Sequence, residues 1–316
     1  PSGAKRSTDV SYVPLALQRG AQLYSGAVVD RVLLQGETAV GVVGHFAGAG
    51  GVRRSLRVHA KAVVLACGAL LTPAFLLRQG IANASGQVGR NLSIHPASSA
   101  VGIFDEPIGG LRSVPQGWCV DQFHREGILF EGASSPLPIV AATHTGYGLP
   151  LIRAMEQFDR ALMFGFLIRD SSRGRVRAGP LGEPLVTYVV NRTDRALLQR
   201  ATSLLWHLLF AAGAREVHTG VHGWSVVGKP EQVAAFAASR VAVRHFDLSA
   251  YHPLGTCRMG VDPLQSVVSP THEAHDVHNL WVCDGSALPG ALGVNPQLTI
   301  MALATRAAPH IARRLG

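Results

Sequence analysis

The chain has 316 residues, 47% hydrophobic and 16% charged, which excludes a disordered segment and gives room for one large domain or two ordinary ones. The net charge is +9, yet the arginines are spread out, with only small clusters such as Arg53-Arg54 and the run from Arg173 to Arg177, and no aromatics interleave with them. That argues against nucleic-acid binding and for a basic surface around an anionic small molecule.

Four cysteines, Cys67, Cys119, Cys257 and Cys283, show no metal-type or CxxC spacing and are expected to be reduced and mostly buried, which points to a cytoplasmic setting and to no metal. The longest apolar run, residues 62–77, is broken by Thr72-Pro73 and is too short for a transmembrane segment. No signal peptide is visible. Pro1 stands where a methionine would, and the opening segment reads as the interior of a protein whose own N-terminus lies upstream.

Gly26 to Leu34, Ala39 to Phe46 and Val52 to His59 are Val- and Leu-rich runs separated by Gln35-Gly36-Glu37 and Gly48-Ala49-Gly50-Gly51, which predicts a three-stranded antiparallel meander. The glycine-rich turn fails as a nucleotide fingerprint, because Arg53 takes the third glycine's place and a strand follows, not a helix. Ala62 to Ala66 reads as a buried parallel strand, ending in Cys67-Gly68-Ala69. Thr72 as N-cap and Pro73 as first helical residue then predict a short helix through Leu77.

Further on, Ala161 to Ile168 and Leu185 to Val190 are strand-like. From Asp194, Leu197, Leu198, Ala201, Leu204, Leu205, Leu208, Leu209 and Ala212 recur at helical spacing until Gly213 closes the run. A second helix starts near Pro230. Leu280 to Cys283 is a short apolar strand running into Asp284-Gly285-Ser286. Asn295 as N-cap and Pro296 at the first position open a long final helix, which Pro309 is expected to kink or end.

Three clusters could carry chemistry: Tyr251 to Gly260, Asp284-Gly285-Ser286, and Gly293 to Thr299. A helix start beside the carboxyl end of a strand offers free N–H groups and partial positive charge to an anionic ligand. His252 is a natural proton acceptor near neutral pH. On these residues alone His252 is either a base or a structural turn histidine, and Asn295 either a ligand or a plain helix cap. Chemistry gives an anion site with a base beside it.

The string His252-Pro253-Leu254-Gly255-Thr256-Cys257-Arg258-Met259-Gly260 resembles a signature of the glucose–methanol–choline (GMC) oxidoreductases. Asp284-Gly285-Ser286-Ala287-Leu288-Pro289, followed by Gly293-Val294-Asn295-Pro296-Gln297-Leu298-Thr299, resembles the second, and His252 and Asn295 stand 43 residues apart, as that family's active-site pair does. Ser2-Gly3-Ala4-Lys5, Val64 to Ala69 with Thr72-Pro73, and Val88 to Leu92 with His95-Pro96 extend the likeness over almost the whole chain.

The resemblance implies an α/β plus antiparallel β fold: a partial FAD-binding, Rossmann-like domain from residues 1–90 and 246–316, and a substrate-binding domain on an antiparallel sheet from residues 91–245. It implies FAD as cofactor, held by Val29, Gly68, Asp284, Gly285, Asn295, Pro296, Gln297 and Thr299. It implies oxidation of the CH–OH group of a small-molecule alcohol, with His252 as general base, Asn295 orienting the substrate oxygen, and hydride passing to flavin N5. The alternatives are a non-redox FAD-binding lyase of the same fold, or a catalytically incompetent fragment. Thr256 to Met259, with Ile168-Arg169-Asp170 and Gly174-Arg175-Val176, leans towards the long-chain-alcohol or sterol-like branch. The family's N-terminal G-x-G-x-x-G is absent, so the N-terminal part that binds the ADP half of FAD is expected to be missing. The electron acceptor (O2, quinone or another carrier) is left open.

Overall fold

A computed structural model describes residues 6–47, 53–109, 116–134, 136–143 and 147–316. Helix α1 (Tyr12–Gln18) precedes a meander of β1 (Ala27–Gln35), β2 (Thr38–Ala47) and β3 (Arg53–His59), paired antiparallel in that order. The three expected strands are therefore present. The Gly48–Gly51 turn and the Ser2-Gly3-Ala4-Lys5 string lie outside the described residues. Gly44 lets β1 and β2 approach, since a Cβ there would stand 2.0 Å from the Val28 carbonyl oxygen.

Strand β4 (Val63–Leu65) and helix α2 (Gly68–Gln79) follow. Next come β5 (Ala97–Ile103), β6 (Cys119–Val120), β7 (Ile128–Ala133), α3 (Leu137–Thr143), α4 (Leu149–Glu156) and β8 (Ala161–Ile168). The hairpin β9 (Arg175–Ala178) and β10 (Pro184–Thr187) leads to α5 (Arg192–Ala211), β11 (Glu216–Thr219), β12 (Val226–Val227) and α6 (Glu231–Ala238). Strand β13 (Leu280–Val282) and helix α7 (Gln297–Leu315) end the chain.

A six-stranded antiparallel sheet, in the order β12-β11-β5-β8-β7-β6, is the larger scaffold. Helix α5 covers one face of it. Leu198, Ala201, Leu205, Trp206 and Leu209 are all buried there against Ile128, Phe130, Phe166 and Ile168, with Phe236 of α6 beside Trp206. Each buried Leu contributes about 1.5–3 kcal/mol, so this one helix face accounts for much of the sheet's stability. The helix starts where Asn191 accepts the Asp194 backbone N–H at 2.8 Å.

The second scaffold is smaller. Strands β4 and β13 pair in parallel, with Val63 opposite Leu280 and Leu65 opposite Val282. Val63, Leu65, Leu76, Leu280 and Val282 share a core with Val32 of the meander and Cys257 of the His252 segment. The outer face of β4 is not covered: Val64 is exposed where a fully buried strand was expected.

Three local expectations need correction. Helix α2 begins at Gly68, so Thr72 and Pro73 lie inside it. A proline there has no N–H for the carbonyl four residues earlier. The Thr256 hydroxyl donates to that carbonyl, of Ala69, at 2.7 Å, and so the helix tolerates Pro73. At α7 the helix starts at Gln297 and the side chain of Asn295 does not cap it; Pro309 lies inside the helix, which runs on to Leu315. Of the cysteines, Cys67 and Cys119 are exposed, Cys257 is buried, and none is disulfide-bonded.

Candidate active site

The His252 segment is fixed by backbone pairing. Ser93 N–H donates to Leu254 O at 3.1 Å and Leu254 N–H to Ser93 O at 2.9 Å, while Ala97 and Ser249 exchange bonds at 2.9 Å. The segment leading into β5 therefore runs antiparallel to residues 249–254 and presents His252 beside the large sheet. Gly255 completes the turn with φ +88°, and a Cβ there would stand 2.5 Å from the Asn91 carbonyl.

His252 is half-buried. Its ring lies edge-on to His95, with centroids 5.5 Å apart. Among the described residues no group hydrogen-bonds the His252 ring, so its nitrogens are left for a ligand. Burial lowers its pKa, which keeps it neutral and able to accept a proton at physiological pH.

His95 is the hinge of the site, and the sequence reading placed it in a motif without giving it a role. It is 1% exposed, with φ +49°. The buried carboxylate of Asp170, at the end of β8, holds that strained backbone: Asp170 accepts the His95 N–H at 3.1 Å, the Ile94 N–H at 3.2 Å and the Tyr188 hydroxyl at 2.6 Å. Burial raises the Asp170 pKa against these bonds. The His95 ring then accepts the Gly293 N–H through Nε2 at 2.9 Å. Desolvation, with the neighbouring His252 second, lowers its pKa to about 4, so the ring is neutral. One side chain thus touches both the His252 ring and the glycine two residues before Asn295.

Asn295 donates through Nδ2 to Glu131 Oε2 at 3.1 Å. Among the described residues nothing hydrogen-bonds its buried Oδ1 or the buried His95 Nδ1. An orphaned amide oxygen in a polar cluster is a place for a ligand atom. Glu131 comes from β7, and nothing in its local sequence marks it. Helix α7 begins two residues after Asn295 with no side-chain cap and no acid in its first turn, so its N–H groups and dipole are uncompensated. Gln297 is exposed and Thr299 half-exposed at this start.

The second motif lies behind. Asp284 accepts the Gly68 N–H at 2.9 Å, the Thr72 hydroxyl at 2.6 Å and the Ser286 N–H at 2.8 Å, and also bonds the Ser286 hydroxyl. Its oxygens thereby clasp the end of β13 to the start of α2. Gly285 is wedged between the His252 segment and α7: a Cβ there would meet the Pro253 carbonyl at 3.2 Å and Ile300 at 3.4 Å. Gly68, Asp284 and Gly285 thus pack together against the His252 segment and α7. Val29 sits in the meander, on β1 opposite Gly44, partly exposed. No group of three or more His, Cys, Asp or Glu among the described residues is placed to hold a metal.

The chain belongs to the GMC oxidoreductase family: two models of it, both described as GMC oxidoreductase, match residues 1–97 and 170–304. An uncharacterised GMC-type oxidoreductase of Mycobacterium tuberculosis is 35% identical over 322 residues, covering 100% of this chain and 49% of the relative. A long-chain-alcohol oxidase of Arabidopsis thaliana is 26% identical, covering 99% of this chain and 45% of the relative. Among solved structures, pyridoxine 4-oxidase from Mesorbium loti superposes with a TM-score of 0.67 at 22% identity, over 98% of this chain and 62% of that one, which shows the fold. The expected α/β plus antiparallel β class stands. The expectation that the family's N-terminal part is missing is not borne out, because the N-terminal family model matches residues 1–97. The chain spans about half the length of the curated relatives it matches.

Proposed function

We propose that this chain carries the active site of an FAD-dependent oxidoreductase acting on the CH–OH group of an alcohol, with His252 as general base. The observation that carries the reading is the ring of His252: neutral, half-buried, without a hydrogen-bond partner among the described residues, and tied through His95 to the segment of Asn295. The residues present fit a flavin on two grounds. The start of α7 is uncapped, and the buried Asn295 Oδ1 lacks a partner among the described residues.

Gln297, Thr299 and Pro296 at that helix start, with Gly68, Gly285 and Asn295, would hold the flavin; Asp284 would shape its seat, and Val29 would stand at its edge. Bound FAD supplies a two-electron acceptor, with ring N5 as the destination of the carbinol hydride. The protein's own part is proton handling and orientation. His252 takes the hydroxyl proton on its free nitrogen, and Asn295 donates to the substrate oxygen and fixes the carbinol carbon. The positive end of α7 offsets negative charge as it develops. The family relatives named long-chain-alcohol oxidases favour a long aliphatic alcohol.

The test is His252→Ala in the flavin-loaded enzyme. The rate of flavin bleaching by alcohol under anaerobic conditions should fall by roughly 10²–10⁴-fold, the usual worth of a positioned base. FAD content should be unchanged. A rate near that of the wild type would sink the assignment of the base.

A further inference from the structure

We propose that Glu131 is a positioning residue for the reaction: its carboxyl selects the orientation of the Asn295 amide and so decides which end of that amide meets the substrate oxygen. The inference rests on the role given to Asn295 above.

The oxygen and nitrogen ends of an asparagine amide have nearly the same size, so packing alone does not distinguish two orientations half a turn apart. Only a hydrogen-bond partner of defined polarity does. An ionised carboxylate accepts and never donates, and Glu131 Oε2 lies 3.1 Å from Asn295 Nδ2. With Nδ2 held there, its second N–H is left for a substrate oxygen, and Oδ1, buried and unpartnered among the described residues, cannot take that place.

The sheet puts Glu131 there. Phe130 points into the core under α5, so the alternation along β7 turns Glu131 to the other face, towards Asn295. Gly165 stands opposite Glu131 in the β7–β8 register and brings no side chain. The Gln116 side chain also hydrogen-bonds the carboxyl, so Glu131 is held between two amides. Burial raises its pKa, while the bonds from Asn295 and Gln116 work to keep it ionised.

The experiment compares four variants of the flavin-loaded enzyme by anaerobic stopped-flow reduction with one alcohol, after thermal melts confirm folding. Glu131→Leu should lower the limiting reduction rate by roughly 10–100-fold, the scale of a misplaced reacting group, with little change in KM. Glu131→Gln should recover only part of the rate, because its amide presents an oxygen to Asn295 Nδ2 in one of its two orientations and a donor in the other. Asn295→Ala should be slow, and adding Glu131→Leu to it should slow it no further. The proposal is overturned if Glu131→Leu reduces at the wild-type rate while Asn295→Ala is slow, if Glu131→Gln is as slow as Glu131→Leu, or if the two losses add. A wild-type rate in Asn295→Ala would remove the Asn295 role itself, and this proposal with it.

Discussion

Replacing Thr256 by Val tests how the His252 segment is fastened to α2. Pro73 leaves the Ala69 carbonyl without its helical donor, and the Thr256 hydroxyl supplies one at 2.7 Å in a fully buried setting. Valine keeps the shape and removes only the hydroxyl, so the cost is that of a buried carbonyl left unpaired, about 1–3 kcal/mol. Pro73→Ala restores an N–H four residues beyond Ala69. In that background the same Thr256→Val change should cost less than about 0.5 kcal/mol, which leaves a coupling of about 1–2 kcal/mol between the two positions. Denaturant midpoints of the wild type, both single variants and the double variant measure it. Equal losses from Thr256→Val in the two backgrounds would refute the reasoning, and would mean that Thr256 acts through packing alone.

Two further outcomes follow from the geometry. Asn295→Asp puts a second carboxyl within hydrogen-bond distance of Glu131, where two negative charges cannot both be retained. It should abolish alcohol-dependent flavin reduction and raise an apparent carboxyl pKa, visible by infrared or NMR titration; normal turnover would count against the contact. His95 has a pKa of about 4 in the fold against 6.5 for the free side chain. Between those values the unfolded chain binds more protons, so stability rises with pH through that window and is lost as pH falls. Stability should fall by roughly 3 kcal/mol between pH 7 and pH 4, the cost of protonating the buried ring. Midpoints measured from pH 7 to pH 4 should fall more steeply for the wild type than for His95→Gln, and parallel curves would show that His95 is not buried in its neutral form.

Much of the site was legible because its signals are local. Tyr251 to Gly260 and Gly293 to Thr299 combine glycines at positive φ, prolines and helix-start residues in short runs, and their order along the chain is specific to one family. The meander, β8, α5 and β13 were legible from periodicity, since a two- or near-four-residue repeat of apolar side chains states which face is covered. The start of α2 was misread for the opposite reason. Thr72-Pro73 has the local form of a helix entry, but its true setting depends on Thr256, 183 residues further on in the sequence.

What the sequence determined by itself, then, was the family and most of the elements that carry His252 and Asn295. The tertiary structure decided how that pair is held. Glu131 reaches Asn295 only through the register of β7 against β8, and register is a property of paired strands. His95 becomes a hinge only because Asp170, from the end of another strand, holds its backbone in a left-handed turn while Gly293 donates to its ring. Such contacts join residues between 75 and 198 positions apart, and no window of sequence contains both partners.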